Sequence, residues 1–511
     1  MKKKEKGLRN VITNENLKYY TLKKSLQENI KLFKDIIFFK DDTIVYRIFK
    51  NRTTGLKFCL IFVDGMTDKK IVNENIIFEL INNDFISCEE DVLGYIQEEV
   101  LIVDDIKLSY DTEKIVSSIL YGSSLLIIEG FDKGLILNTL GWKTRAIDEP
   151  QAETILSGPR EGFNESINMN ISLIRRKINS PSLKFEFCEI GVRTKTKICI
   201  AYMEDMVEPK ILQEVRKRLA QLDIEGIFST NSLKEFIKDA SLSPFKTVGT
   251  TERPDVVASK MLQGRVAILG DGSPVVLTVP YLFIEHFQVD EDYYENFTYA
   301  SVNRIIRFIA FILTTGAPAI YIAFTTFHKE LIPTKLAMSI YASRQGVPLP
   351  ASLEAFVMLI TFEIIREAGI RLPKHIGSAI SIVGALVLGD AAVNAKFVSS
   401  PVVIITAITG ISELILYEMR ASVIISRLIF LTFASFFGIY GVIFSTMGMF
   451  IHLMSIKSFG IPYMLKLIDL NKENIRDSAI RTPWHILKYR TEFICKNRIR
   501  IKDYTKRRNK Q

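Results

Sequence analysis

Asp64 and Asp68 stand four residues apart at the end of the apolar run FCLIFV, where two hard carboxylates could take up a cation. The same positions precede a helix-like segment. Carboxylates there cap a helix and complement its dipole, which is the stronger reading. Ser157-Gly158-Pro159-Arg160 has the glycine of a phosphate cradle, but the stretch to Gly162 lacks the Gly-Lys-Ser/Thr ending of a P-loop. Cys59, Cys88, Cys188, Cys199 and Cys495 are scattered without metal or redox spacing and read as reduced. His286, His328, His375, His452 and His485 lie at or beyond the start of the apolar half, and no Ser/His/Asp or Cys/His set is visible. The sequence therefore predicts no enzyme, no metal and no cofactor.

The residues best placed to act lie in apolar surroundings. Gly377, Ser381, Ala385 and Gly389 recur every four residues, a smooth ridge that lets another helix approach closely. Val383, Val387 and Asp390 lie on neighbouring faces. Plain helix packing explains the ridge. The functional alternative is a pore-lining helix in which Val383 and Val387 form an apolar gate and Asp390 a cation-attracting mouth, with several copies around an axis. Glu413 and Arg427 flank the turn near Met419 at about 9 and 12 Å along their helices, taking 1.5 Å per residue, so an intramembrane ion pair is expected.

These groups need a membrane domain to position them. After roughly three hundred residues of soluble character, 308–327, 376–393, 401–417 and 423–450 are each long enough to approach or cross a hydrocarbon core of about 30 Å. With no water there, each must be a helix. Segment 352–367 carries Glu354, Glu363, Arg366 and Glu367 and reads as an amphipathic segment lying in the interface or re-entering. Arg304 and Arg307 before the first span, and the basic run from Lys496, place both ends in the cytoplasm and favour four crossings. The chain of 511 residues has a net charge of +9, concentrated at its ends, which beside a membrane domain suits anionic lipid better than nucleic acid. No apolar core follows the first lysines, so no cleaved signal peptide is expected.

The soluble half contains an internal duplication. FCLIFVDGMTDKKI at 58–71 lies on ICIAYMEDMVEPKI at 198–211 at an offset of about 140 residues, and the same offset lays 126–137 on 266–277. The expected fold is two tandem α/β units with small mixed sheets followed by an all-α polytopic membrane domain. The divisions are a basic tail at 1–41, unit 1 at 42–147, a connector at 148–181, unit 2 at 182–290, the helical domain at 300–465 and a basic cytoplasmic tail at 466–511.

SGPREGFNESINMNISLIRRKI, GRVAILGDGSPVVLTVP, FQVDEDYY, LTTFHKELIP, EAGIRLPKHIGSAISIVGALVLGDAAV and KSFGIPYM, in this order over about residues 120–465, resemble the A subunit of the GerA family of spore germinant receptors. The resemblance implies an inner-membrane protein of bacterial endospores with a cytoplasmic soluble domain. It implies partnership with a transporter-like B subunit, which binds the nutrient, and a C-subunit lipoprotein. It also implies a homo-oligomer forming a ligand-gated ion channel. A small-solute carrier or an accessory spore-membrane protein that modulates solute release is the alternative. A carrier commonly has repeated membrane halves, whereas here the repeat is in the soluble half.

Overall fold

The computed structural model describes residues 12–83, 92–141, 150, 153, 157–371, 389–465, 477–484, 486, 490 and 493–497. Unit 1 contains β1 (Ile44–Lys50), β2 (Lys57–Val63), β3 (Ile106–Ser109), β4 (Ser124–Ile128) and β5 (Gly134–Leu137), in the order β1-β2-β4-β5-β3. Unit 2 contains β6 (Leu183–Ile190), β7 (Thr196–Met203), β8 (Gly249–Thr251), β9 (Val266–Gly270) and β10 (Val276–Val279), in the equivalent order β6-β7-β9-β10-β8. Every pair in both sheets is antiparallel, where mixed sheets were expected. Short loops join β1 to β2 and β4 to β5, and the long connections return each strand beside its neighbour in the opposite sense.

The central strands are apolar on both faces because both faces are covered. Cys59, Ile61 and Val63 of β2 face one cluster, and Phe58, Leu60 and Phe62 face the other. The duplication is real in topology, but its offset changes along the chain. Cys59 pairs with Ile127 and Cys199 with Leu269, so the first members are 140 apart and their partners 142. A constant offset of 140 therefore misplaces the second block by two residues. Alternation has a period of two, so this slip keeps every side chain on its proper face and the hydrophobic pattern cannot reveal it. At Asp271-Gly272 the turn is as expected, with Gly272 at φ +79°. The Asp68 carboxylate accepts from the Lys70 amide at 2.8 Å, and Asp64 pairs with Lys69. Among the described residues no group of three or more His, Cys, Asp or Glu is arranged to hold a metal.

Three segments expected as tails or connector belong to the folded body. Leu17, Leu22, Leu26, Phe33 and Ile37, before β1, are buried in the unit 1 core. Helix α1 (Thr112–Tyr121) packs beside them, and α2 (Ile167–Lys177) lies between the units. From α2 the buried Arg175 reaches Asp41 at 2.5 Å, while the Asp42 amide donates to the Phe185 carbonyl at 3.0 Å, joining the edge strands' ends. Unit 2 is completed by α3 (Pro209–Ala220) and α4 (Pro254–Met261). Ile494 and Cys495 of the expected C-terminal tail are buried against unit 2, with Cys495 bridging to Val207.

The apolar half forms a bundle of α5 (Phe297–Ile322), α6 (Thr334–Arg344), α7 (Ala351–Arg371), α8 (Ser400–Ile415), α9 (Arg420–Phe437) and α10 (Ile439–Ser455). Among the described residues, Phe297–Phe327 and Tyr417–Phe437 are long and apolar enough to cross a membrane, and Ser400–Ile415 and Ile439–Ser455 are shorter apolar helices. The expected single span at 423–450 is a hairpin. Gly438 reverses the chain at φ +58°, ψ −133°, and Gly441 lies directly on the Phe433 backbone. A straight helix of that length would reach about 42 Å, well beyond an apolar core.

Candidate functional site

The helix ends sort into two levels. At the end nearest unit 2, Tyr281 donates to Glu418, Ser422 donates to the Pro244 carbonyl at 2.6 Å, and Ser243 is hydrogen-bonded to His452. At the far end, Gly438 abuts Phe327 and His328, and Ser399 donates to Glu354 at 2.7 Å. Ile322, Ala351, Ala355, Val402 and Leu431 form one far-end cluster. Helix α7 therefore runs from the far end back toward unit 2, ending at Arg371. It was expected in the interface because of its charges. Three of those charges instead find partners within the bundle, with Arg344 3.2 Å from Glu354 and with Glu363 and Arg366 half-buried in one charged layer, while Glu367 stays exposed and pairs with Arg371 at 2.7 Å.

That layer is the candidate site. Arg427 of α9 is 1% exposed and lies 2.9 Å from Glu413 of α8 and 2.5 Å from Glu363 of α7. Arg366 of α7 contacts both Glu413 and Glu363. The structure thus brings Glu413 and Arg427 together, and it adds two members that sequence reasoning read as surface charges. The spacing Glu363 to Arg366, one helical turn, was the available signal. Two carboxylates and two guanidiniums make a neutral layer that ties three helices. Because each arginine touches both acids, a helix shift can exchange partners without stranding a charge, whose burial alone would be prohibitive. Beside the layer, Leu359, Ile360, Glu363, Ile364, Arg427 and Leu428 help line a groove of about 530 Å³.

Of the pore candidates, Gly377, Ser381, Val383, Ala385 and Val387 lie outside the described residues. Gly389 is buried, its Cβ direction 3.8 Å from Val403 of α8, and Asp390 is exposed at the far end. Lys396, near Asp390 in sequence, lies instead against Gly346.

A second charged cluster sits where unit 2 meets the bundle. Arg304, expected to mark the cytoplasmic side by free charge, is fully buried and 2.8 Å from both Asp292 and Asp477, while Arg307 joins Asp292 at 2.9 Å. Tyr293 donates to Asp477 at 2.6 Å, so this acid from the expected tail closes a collar around the entry to α5. Nearby, burial alone would raise the Glu285 carboxyl, but Arg265 and Lys260 outweigh it and hold it down at about 2. Burial, reinforced by the Lys246 charge, pushes the His286 imidazole down to about 3, and its Nε2 is hydrogen-bonded to the Tyr463 hydroxyl at 2.9 Å.

Residues 25–493 match the model of a family described as "Bacillus/Clostridium GerA spore germination protein". The chain belongs to the GerA family. It is 39% identical to Spore germination protein KA of Bacillus subtilis (strain 168), over 92% of this chain and 87% of that protein. It is 35% identical to Spore germination protein GerLA of Bacillus cereus, over 85% and 89%, and 35% identical to the Uncharacterized membrane protein YfkQ of Bacillus subtilis (strain 168), over 95% and 94%. A crystal structure of the N-terminal domain of the A subunit of the Bacillus megaterium spore germinant receptor GerK3 is 29% identical, covering 52% of this chain and 98% of that one, with a TM-score of 0.42.

Proposed function

We propose that this chain is the A subunit of a nutrient germinant receptor in the inner membrane of the endospore, its α/β units on the cytoplasmic side, and that copies of it assemble around an ion-conducting axis. The neutral layer of Glu363, Arg366, Glu413 and Arg427 in an apolar bundle, with Glu413 and Arg427 buried, carries this reading. Ionisable groups inside a membrane are expensive and mark moving or conducting parts. In the proposed topology α5, α7, α8, α9 and α10 cross, together with the segment that returns the chain from Arg371 to Gly389, for six crossings. That count keeps Arg371 on the cytoplasmic side, where the positive-inside rule wants it. Val383 and Val387 form the closed gate and Asp390 the far mouth. A transporter-like B subunit supplies nutrient binding, and a C-subunit lipoprotein completes the receptor.

The experiment is cation release from spores, and current in a reconstituted bilayer, with and without nutrient. Val383→Ala or Val387→Ser should open the complex without nutrient, and Asp390→Asn should weaken cation flux while assembly persists. Cysteines at 383 and 387 that stay blind to permeant thiol reagents in a conducting complex would move the pore elsewhere. A second reading, an accessory spore-membrane protein that modulates solute release, predicts a different deletion phenotype. Deletion separates the two. Loss of the response to one nutrient marks a receptor, and uniformly altered solute release marks an accessory protein.

A further inference from the structure

One loop of unit 2 is placed at the level where the bundle begins. Residues 238–246 follow the short helix Thr230–Ile237, whose Leu233 and Ile237 are buried in the unit 2 core. Ser243 is held by His452 in the last turn of α10, the Pro244 carbonyl accepts from Ser422 in the first turn of α9, and Phe245 packs with Met419, Val423, Leu453 and Ile456. These anchors fix the loop's height against the ends of two apolar helices. Immediately before them Leu242 is 99% exposed. Leucine prefers burial, and nothing in the fold of the loop requires an apolar residue there.

The surroundings are basic. Lys234 lies close enough to Lys246 and Lys238 that, after burial, their charges push its ammonium down, with Glu235 the opposing acid. Exposed Lys457 follows α10 directly, in a hairpin that docks back on unit 2 through Phe459 and Asp239. Among the described residues none of Lys234, Lys238, Lys246 and Lys457 makes an ion pair, whereas Asp239 is already paired with Arg218 at 2.7 Å.

We propose that this surface, Lys234, Lys238, Lys246 and Lys457 around Leu242, docks on anionic phospholipid headgroups, with Leu242 inserted beneath them. The ammonium groups meet lipid phosphates, and the leucine gains the burial that the fold denies it. Each lysine near an anionic surface contributes about fivefold in affinity. The contact would hold unit 2 at a set height over the bilayer, so that motion of the unit is transmitted to α9 and α10. The inference rests on the membrane reading above.

The test places the full chain in nanodiscs of phosphatidylcholine, with or without a third of phosphatidylglycerol. An environment-sensitive fluorophore is attached to L242C or, on the lipid-exposed face of α10, to F444C, and acyl-brominated lipids serve as quenchers. Both labels should be quenched, with L242C quenched more when phosphatidylglycerol is present. The pair K238E and K246E should remove that increment, a loss of about twentyfold or more in the docking equilibrium constant, without changing F444C. An unquenched L242C beside a quenched F444C overturns the proposal and assigns the loop to another protein. An unquenched F444C overturns the membrane reading itself.

Discussion

Removing Arg427 and Glu413 together should cost clearly less than the sum of removing each alone. In Arg427→Gln, Glu363 and Glu413 are left facing a single guanidinium, that of Arg366. Breaking a buried pair from one side costs about 3–5 kcal/mol. Arg366 already touches both acids and retains part of the neutralisation, so the lower end of that range, about 3 kcal/mol, is expected. Glu413→Gln leaves the opposite excess and should lose a similar amount. The double variant keeps Glu363 with Arg366, one charge of each sign, and should recover about 1–3 kcal/mol relative to the summed singles, the range found for residues in one network. At 1.4 kcal/mol per tenfold, a coupling of about 2 kcal/mol is roughly a thirtyfold change in the folded ratio. The assay is unfolding of the purified full chain in detergent, with the amount of assembled receptor in spores as a second readout. Singles that add within about 0.5 kcal/mol in the double would refute the shared layer.

Gly438→Ala should destabilise the α9–α10 hairpin by about 1–3 kcal/mol, because φ +58°, ψ −133° is a glycine conformation and the added Cβ would sit 2.8 Å from Phe327 Cβ; unaltered yield and melting would contradict the sharp turn. Acidification from pH 6.5 towards 5 should destabilise the folded chain through His286. Its folded pKa is depressed to about 3, so the unfolded chain takes up a proton that the native site refuses, a loss approaching about 1.4 kcal/mol per pH unit. His286→Gln should flatten the midpoint against pH in that window, and an unchanged slope would exclude the imidazole. Glu285, held low by Arg265 and Lys260, contributes stability above its unfolded pKa that is lost only below about pH 4.5, outside the window. Arg175→Met should loosen unit 1 from unit 2 by removing the cation that Asp41 buries, read as faster proteolysis between them, and protection equal to the native chain would show the contact to be dispensable.

Much of this protein is written locally. Apolar runs of strand and helix length, the Asp-Gly turn and the repeated FCLIFVDGM and ICIAYMEDM blocks determine two α/β units before an apolar helical half, and the ordered motifs determine the family. Helix depth, counted from the turn at Met419, was enough to anticipate that Glu413 and Arg427 meet. What the tertiary structure alone decides are long-range choices among locally equivalent options. The two-residue slip of β9 against β4 preserves alternation and is invisible to pattern. Glu363 and Arg366 give α7 the charge content of a surface helix until partners from α8 and α9 neutralise them. Gly438 divides a continuous apolar run because the chain must turn back to pack on its own preceding helix, and an apolar run by itself does not say whether it goes straight on. Asp477 reads as part of a basic tail because its meaning lies in Arg304, more than 170 residues earlier, and only folding brings the two charges together.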